Sequence, residues 1–216
     1  MNPSDTIIQL VVARCVGEIE RLNVHCGVLC KSSKFFQNAM KPEWTDTQAG
    51  PNVIDLSDNP VDAVSDYVKW LYYDTIPNKQ YEAVADTREE KAEEAEKVFV
   101  ALAKSYVFGE KIIDVRYKNA VLQTISTAQK LFDWSMGPES VKIVYEGTPP
   151  QSPLRRLIVE NVAYIAHEDS KESVSWMQFL NEYPEDAKAD MLQTMVKVRP
   201  SRPDSSPGVV SYLEEE

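Results

Sequence analysis

The spacing of the apolar residues changes at His25, and this change limits the fold more than any other feature of the chain. Residues 7–12, IIQLVV, are apolar and mostly β-branched, which is typical of a buried strand. A second run that ends at Val24, after a turn at residues 16–18, predicts the partner strand of a hairpin. From Cys26 onward the apolar residues recur at helical spacing instead. The sequence therefore predicts a hairpin at the start of a mostly helical chain.

Two short helices, a strand and a longer helix are predicted directly after the hairpin. The hydroxyl of Ser32 or Ser33 is well placed to cap the helix that holds a Phe-Phe pair. Residues 53–56, VIDL, predict a third strand, and the SDNP turn after it starts a helix that runs to about Tyr73. The stripe expected to face the core on this helix consists of Val61, Val64, Val68 and Leu71.

Helices dominate the prediction for the rest of the chain. Residues 88–96, REEKAEEAE, predict a helix start, because acidic side chains suit the positive end of the helix dipole. This helix is expected to end at Gly109. The next one is expected over residues 112–128, with Ile113 among its inward side chains. Four shorter helical patterns continue to about residue 198.

The low glycine content agrees with a helix-rich chain. Seven glycines in 216 residues are about half the usual share, whereas sandwiches and barrels need many tight turns. Strands come first and helices follow, which favours the α+β class with a small, mainly antiparallel sheet. A chain of this length can bury one sizeable core without disulfides or metals.

Charge and cysteine content restrict the partners and the compartment. A formal net charge of −11 repels phosphate backbones and anionic lipid, so we expect no direct binding to nucleic acid or membrane. No window reaches the roughly 18 apolar residues that a membrane span needs. Three cysteines without a signal sequence predict an intracellular protein, in the nucleus or the cytoplasm.

One cluster, His25 with Cys26 and Cys30, raises the question of a metal site or a nucleophile. The spacing matches no standard zinc pattern, and the other histidine of the chain is His167. A structural histidine at a strand-to-helix turn, with the cysteines as small core residues, is the favoured interpretation. There is also no Walker loop and no GxGxxG pattern. We expect no metal, no cofactor and no enzymatic activity.

Three blocks of the sequence carry a further pattern. Residues 24–40, VHCGVLCKSSKFFQNAM, place a histidine before a paired aliphatic-leucine, a serine and two phenylalanines. Residues 53–74 place a short strand before a helix that ends in an aromatic-Leu-Tyr triplet, and residues 98–121 hold an alanine-centred helix followed by a tyrosine. The matching residues are His25, Val28, Leu29, Ser33, Phe35, Phe36, Trp70, Leu71, Tyr72, Ala103 and Tyr106. Together the blocks resemble a BTB/POZ domain, as found in the fungal BTB-domain proteins.

The resemblance divides the chain into three parts. It covers residues 5–128 and implies a BTB/POZ fold there, a small mainly antiparallel sheet with helices. Residues 129–199 resemble neither kelch repeats nor zinc fingers and are expected to form an all-helical C-terminal region. Residues 200–216 are rich in proline and serine, which predicts a flexible tail.

The resemblance implies a protein–protein interaction module or adaptor whose partners are proteins. Family members that recruit a partner to a cullin-type ubiquitin ligase carry a hydrophobic-x-Glu motif after the second helix. Trp44 and Asp46 occupy those positions here, although aspartate is one methylene shorter than glutamate. Trp44 also stands in a polar stretch, where a large aromatic side chain can anchor a partner or fold back onto the preceding helix. The predicted partner-binding residues are therefore Trp44 and Asp46.

Two other functions stay open at this stage. The chain could be a self-assembling, homo-oligomeric scaffold, and a homodimer is possible. Strongly dimerising family members carry an additional N-terminal helix and strand, whereas about five residues precede the first strand here. The second alternative is a small enzyme or ligand site in the C-terminal helices, which predicts a closed pocket lined by polar groups.

Overall fold

A computed structural model describes residues 5–15, 18–41, 50, 52–77, 87–167 and 174–199. Its strands are β1 (Ile7–Cys15), β2 (Glu18–His25) and β3 (Val53–Asp55), in the sheet order β2-β1-β3. β1 and β2 pair antiparallel along their whole length, whereas β3 adds to β1 in parallel. The predicted hairpin and the α+β class are confirmed, and residues 16–17 between the hairpin strands lie outside the description.

Helices make up most of the remaining described chain. They are α1 (Cys26–Ser32), α2 (Lys34–Ala39), α3 (Val61–Tyr73), α4 (Arg88–Lys111), α5 (Val115–Phe132), α6 (Pro138–Gly147), α7 (Pro153–Ile165), α8 (Trp176–Glu182) and α9 (Glu185–Val198). Over the stretches that the structure describes, none of these helices has the length and apolar character needed to cross a lipid bilayer. The predicted tail, residues 200–216, lies outside the described residues.

One face of the sheet packs against helices, and the opposite face, the open face, carries exposed side chains among the described residues. The alternation of β1 directs Ile8, Leu10 and Val12 inward, where all three are fully buried. α3 packs against β1 and β2. On the strands, Ile7 and Ile19 are exposed. The hydrophobic core therefore lies between the sheet and the helices.

The buried stripe of α3 differs from the predicted one. The buried residues are Ala63, Val64, Tyr67 and Trp70, and of the predicted stripe Val61, Val68 and Leu71 are only partly buried. The two aromatic rings stack on each other with their centroids 5.9 Å apart. Because an aromatic side chain removes more apolar area from water than a valine does, the rings determine which side of α3 faces inward.

α4 begins where the charge run predicted and ends later than predicted. Thr87 caps it in a reciprocal arrangement with Glu90, in which each side chain bonds the backbone N–H of the other. The predicted end at Gly109 is wrong, because α4 continues to Lys111. A Cβ on Gly109 would lie 2.8 Å from Cγ of Lys118 and 3.1 Å from Cδ1 of Tyr117. Glycine here permits the close approach of α5 and does not terminate the helix.

The start of α5 is also later than predicted. Residues 112–114 form the connection, and α5 begins at Val115 with Asp114 as its cap. Ile113, predicted to point inward, has a left-handed φ of 54° and is half-exposed. This left-handed residue lies in the turn between α4 and α5, which pack against each other, and its side chain points away from the core.

A continuous apolar core extends from β1 to α9 through the described chain. α6 packs on α4, and α9 packs on α7. Residues 128 and 129, on either side of the predicted boundary between the two regions, both lie inside α5.

Candidate functional site

The predicted partner-binding residues, Trp44 and Asp46, lie outside the described residues, in the segment 42–49. The chain enters this segment after α2, whose C-cap residue Met40 donates its N–H to the carbonyl of Phe36 at 3.1 Å. Lys41, directly before the segment, is exposed. The proposed role of Trp44 and Asp46 therefore stays a prediction. The structure describes α2, the helix that precedes their segment.

Ser33 holds α2 in place. Its side-chain oxygen accepts a hydrogen bond from the N–H of Phe36 at 3.2 Å. Of the two predicted cap residues, Ser32 and Ser33, it is therefore Ser33 that caps α2. The same hydroxyl donates to the carbonyl oxygen of Ile112 at 2.6 Å, and Ser33 is fully buried. One buried hydroxyl thereby joins α2 to the turn between α4 and α5.

His25 has a structural position at the end of β2. Its Nδ1 lies 2.7 Å from the hydroxyl oxygen of Tyr72, and its backbone N–H donates to that same oxygen at 3.0 Å. The two rings meet edge to face with centroids 5.9 Å apart. These bonds tie the strand-to-helix turn to the C-terminal part of α3, as the structural interpretation of His25 requires.

The two cysteines of α1 are close together, and the thiol of Cys30 is not activated. Their sulfur atoms are 3.8 Å apart, and the thiol of Cys30 donates to the carbonyl of Phe36 at 3.7 Å. Burial and the neighbouring Cys26 raise the pKa of Cys30 to about 12, so almost none of it is thiolate at neutral pH. Within the described ranges no three His, Cys, Asp or Glu side chains are grouped so that they could hold a metal ion.

An aromatic cluster around Tyr67 forms the centre of the first half of the chain. Its ring centroid lies 4.9 Å from that of Tyr117, 5.6 Å from Phe108, 5.9 Å from Trp70 and 6.1 Å from Phe36. The hydroxyl of Tyr67 donates to the carboxylate of Asp114 at 2.9 Å. The cluster brings together residues of α2, α3, α4 and α5.

Sequence reasoning missed a partly buried acid at the start of α6. The carboxylate of Glu96, on α4, accepts the N–H groups of Gly137 and Ser140 at 2.7 Å each, and the hydroxyl of Ser140 at 3.0 Å. Burial raises the pKa of Glu96, and these three bonds oppose the rise. Gly137 stands at the N-cap position of α6 and has no side chain that could cap the helix. In the sequence, this missing local cap was the one signal that a distant side chain caps α6.

A buried base serves the other end of α6 in the same way. Arg155, on α7, donates to the carbonyl of Tyr145 at 2.5 Å, to the carbonyl of Thr148, and to the hydroxyl of Thr148 at 2.9 Å. Its guanidinium also lies 4.4 Å from the ring centroid of Tyr145. An acid at the N-terminus and a base at the C-terminus both complement the dipole of α6.

Comparison with known proteins does not identify the chain. No protein-family model matches it, and no curated protein matches it. The BTB/POZ resemblance therefore rests on the residues of the three blocks.

Proposed function

We propose that this chain is a protein–protein interaction adaptor built on a BTB/POZ domain, without enzymatic activity of its own. The observation that carries the proposal is that residues of the three blocks, far apart in sequence, meet in one buried centre. Phe36 of the first block stacks on Tyr67 of the second, and the hydroxyl of Ser33 bonds the carbonyl of Ile112 in the third. Contact among all three blocks supports their belonging to a single domain.

The order of the elements supports the same proposal. The three blocks predict a strand that ends at His25 and is followed directly by helices, then a short strand before a helix, and then an alanine-centred helix followed by another helix. The described chain has β2, α1 and α2, then β3 and α3, then α4 and α5, in that order. In the central strand β1 of this sheet, Ile8, Leu10 and Val12 are buried on one face, whereas Ile7 is exposed on the other.

The state of the candidate nucleophile supports a function without catalysis. Cys30 has a raised pKa and hydrogen-bonds within its own helical pair, whereas a catalytic thiol needs a lowered pKa and an adjacent base. His25 is engaged with Tyr72 and holds the fold together. The most unusual polar residues, Glu96 and Arg155, are both occupied at the ends of α6.

The finer part of the proposal places the working surface in the segment that contains Trp44 and Asp46 and names a cullin scaffold as the partner. A large aromatic side chain near an acid is suited to a hot spot, because the ring fills a pocket while the carboxylate bonds at its edge. The bond from Ser33 to Ile112 anchors the start of α2, the short helix that precedes this segment.

Affinity purification with mass spectrometry tests the adaptor function. The full chain and its Trp44→Ala variant are compared, with Tyr73→Ala as a control because Tyr73 is a strongly exposed aromatic residue on α3, outside that segment. We expect Trp44→Ala to lose a specific protein partner that wild type and Tyr73→Ala retain, at unchanged thermal stability. Identical partner sets for all three proteins would contradict the assignment of the surface to Trp44.

A direct binding measurement tests the cullin partner. Purified chain is titrated against the N-terminal domain of a cullin by calorimetry. If Asp46 occupies the position of the family glutamate, Asp46→Glu restores the missing methylene and tightens binding, while Asp46→Ala weakens it. If neither wild type nor Asp46→Glu binds, the cullin is excluded as the partner. The adaptor function is then tested by the purification experiment alone.

The alternative function, a homo-oligomeric scaffold, is favoured by one observation. The open face of the sheet exposes Ile7 and Ile19, two β-branched apolar residues that a second copy could cover. Light scattering over a range of concentrations distinguishes the cases. A monomer at every concentration contradicts the scaffold, and a dimer that Ile19→Lys dissociates supports it.

A further inference from the structure

A cleft of about 500 Å³ opens where α4, α5, α7 and α8 meet. This volume lies within the range of small-molecule sites in proteins. Its walls include the rings of Trp134, Trp176 and Phe179, and the two indoles each meet Phe179 edge to face at centroid distances of 6.2 and 6.5 Å. The cleft therefore offers aromatic surface on which a flat molecule can pack.

Polar groups in the same cleft are not used by the fold. Nε1 of Trp134 is buried and has no hydrogen-bond partner within the described chain. The side chains of Ser126, Gln129 and Asn161 also line the cleft and make no hydrogen bond to the described residues. A buried donor without a partner is costly, so an acceptor that reaches it from a bound ligand is favoured.

The described lining of the cleft is net positive, whereas the whole protein is acidic. Among the residues that the structure describes, Arg88 and Lys130 line it together with a single acid, Asp133, while the chain as a whole carries a net charge of −11. The guanidinium of Arg88 lies 4.8 Å from the ring centroid of Trp134, next to the aromatic wall. Lys130 is exposed, and no carboxylate of the described residues lies within ion-pair distance of it. The lining therefore favours an anion over a cation.

We propose that this cleft binds a small planar aromatic molecule that carries an anionic group. The ring system packs against Trp134, Trp176 and Phe179, and the anion lies at Lys130. This site is formed by residues outside the aromatic cluster around Tyr67 and outside the segment of Trp44. It adds a small-molecule ligand to the proposed adaptor function and does not depend on that function.

Two dyes that share an aromatic scaffold and differ in charge test the site on the full chain. Anilinonaphthalene sulfonate carries the anion, and N-phenylnaphthylamine lacks it. We expect saturable binding of the sulfonate dye, measured by energy transfer from tryptophan, and weaker binding of the neutral dye. Equal affinity for the two dyes in the wild-type protein would overturn the proposal.

A matched pair of lysine variants localises the charge contribution. Lys130→Gln is expected to weaken the sulfonate dye roughly two- to five-fold, as for the loss of one exposed ion pair, and to leave the neutral dye unchanged. Lys142→Gln removes the same charge from an exposed position on α6 and is expected to change neither dye. Equal effects of the two variants would show that net charge attracts the dye and that the cleft does not bind it.

A filling variant tests the cavity itself. Ser126→Phe places a ring in the cleft from α5 and is expected to abolish the signal of both dyes while circular dichroism and thermal unfolding stay as in wild type. An undiminished signal in this folded variant would contradict binding in the cleft. If Ser126→Phe does not fold, the comparison of Lys130→Gln with Lys142→Gln still decides the question, because both changes are on exposed side chains.

Discussion

The hydroxyl of Tyr67 donates a 2.9 Å hydrogen bond to the carboxylate of Asp114, and both residues are fully buried. The other carboxylate oxygen accepts the backbone N–H of Tyr117 at 3.0 Å and so caps α5. Burial and the charge of Asp114 raise the pKa of Tyr67, which keeps the phenol protonated and donating at all physiological pH values. A single acid thus holds α3 against the beginning of α5.

Removing this hydroxyl should destabilise the protein. Tyr67→Phe keeps the ring in the aromatic cluster but leaves one oxygen of the buried carboxylate without its donor. We expect the free energy of unfolding to fall by about 1–3 kcal/mol, measured by urea denaturation. Tyr73→Phe, on an exposed ring of the same helix, is the control and should not shift the midpoint. Equal midpoints for the two variants would show that the bond does not stabilise the fold.

Arg155 should not be replaceable by lysine. Arg155→Lys keeps the positive charge but cannot reproduce the forked contacts to Tyr145 and Thr148. We expect a loss of about 1–3 kcal/mol in the free energy of unfolding, because buried carbonyl groups at the end of α6 lose their donor. The adjacent Arg156 is exposed, so Arg156→Lys is the matched control. A similar small effect of both changes would contradict the capping role.

Glu96 should make stability depend on pH in the opposite direction from a salt-bridged acid. Because burial raises its pKa above the ordinary value of 4.5, the folded protein holds the proton more tightly than the unfolded chain does. The resulting stability is fully present below pH 4.5 and is lost as the pH rises through the raised pKa. Relative to Glu96→Gln, which does not titrate, wild type should therefore gain stability on acidification from neutral pH. Urea denaturation of both proteins at several pH values measures the difference, and a relative loss on acidification would mean that the hydrogen bonds outweigh burial.

Gly147 should tolerate no side chain. A Cβ at this position would overlap the methyl groups of Val107 on α4, a β-branched side chain with little freedom to move. We expect Gly147→Ala to cost about 1–3 kcal/mol of unfolding free energy despite the better helix propensity of alanine. Gly50→Ala is the control, since no described residue lies closer than 3.8 Å to its Cβ. Thermal unfolding of the two variants gives the comparison, and an unchanged or raised midpoint for Gly147→Ala would refute the overlap.

Cys30 should react slowly with alkylating agents. With a pKa of about 12, its thiolate fraction at pH 8 is on the order of one in ten thousand, far below that of a free cysteine. Iodoacetamide labelling followed by peptide mass spectrometry should therefore modify Cys30 at least a hundred-fold more slowly than glutathione under the same conditions. Labelling at the rate of glutathione would reopen the question of a reactive thiol in α1.

Features determined by near neighbours in the chain could be predicted from the sequence. The start of α4 follows from Thr87 and Glu90, which cap each other across three residues. The cap of α2 by Ser33 has the same local origin. The end of α4 could not be predicted in this way. A glycine often follows the end of a helix, but Gly109 lies inside α4, where it allows the close approach of Tyr117.

The candidate sites show the same division. Trp44 and Asp46 follow from a short motif, and their role stays a prediction. The aromatic cleft joins Trp134 to Phe179, which are 45 positions apart, so no local pattern could have indicated it.

By itself the sequence determined where the strands lie and where most helices begin, because alternation, helical spacing and capping act over a few neighbouring residues. Only the tertiary structure decided which side of α3 is buried, that Glu96 and Arg155 complete the two ends of α6, and that three aromatic rings line a cleft. These features depend on side chains that become neighbours only when the helices pack. Once these side chains are buried, a polar group without a hydrogen-bond partner destabilises the fold, so each buried polar group requires a particular partner.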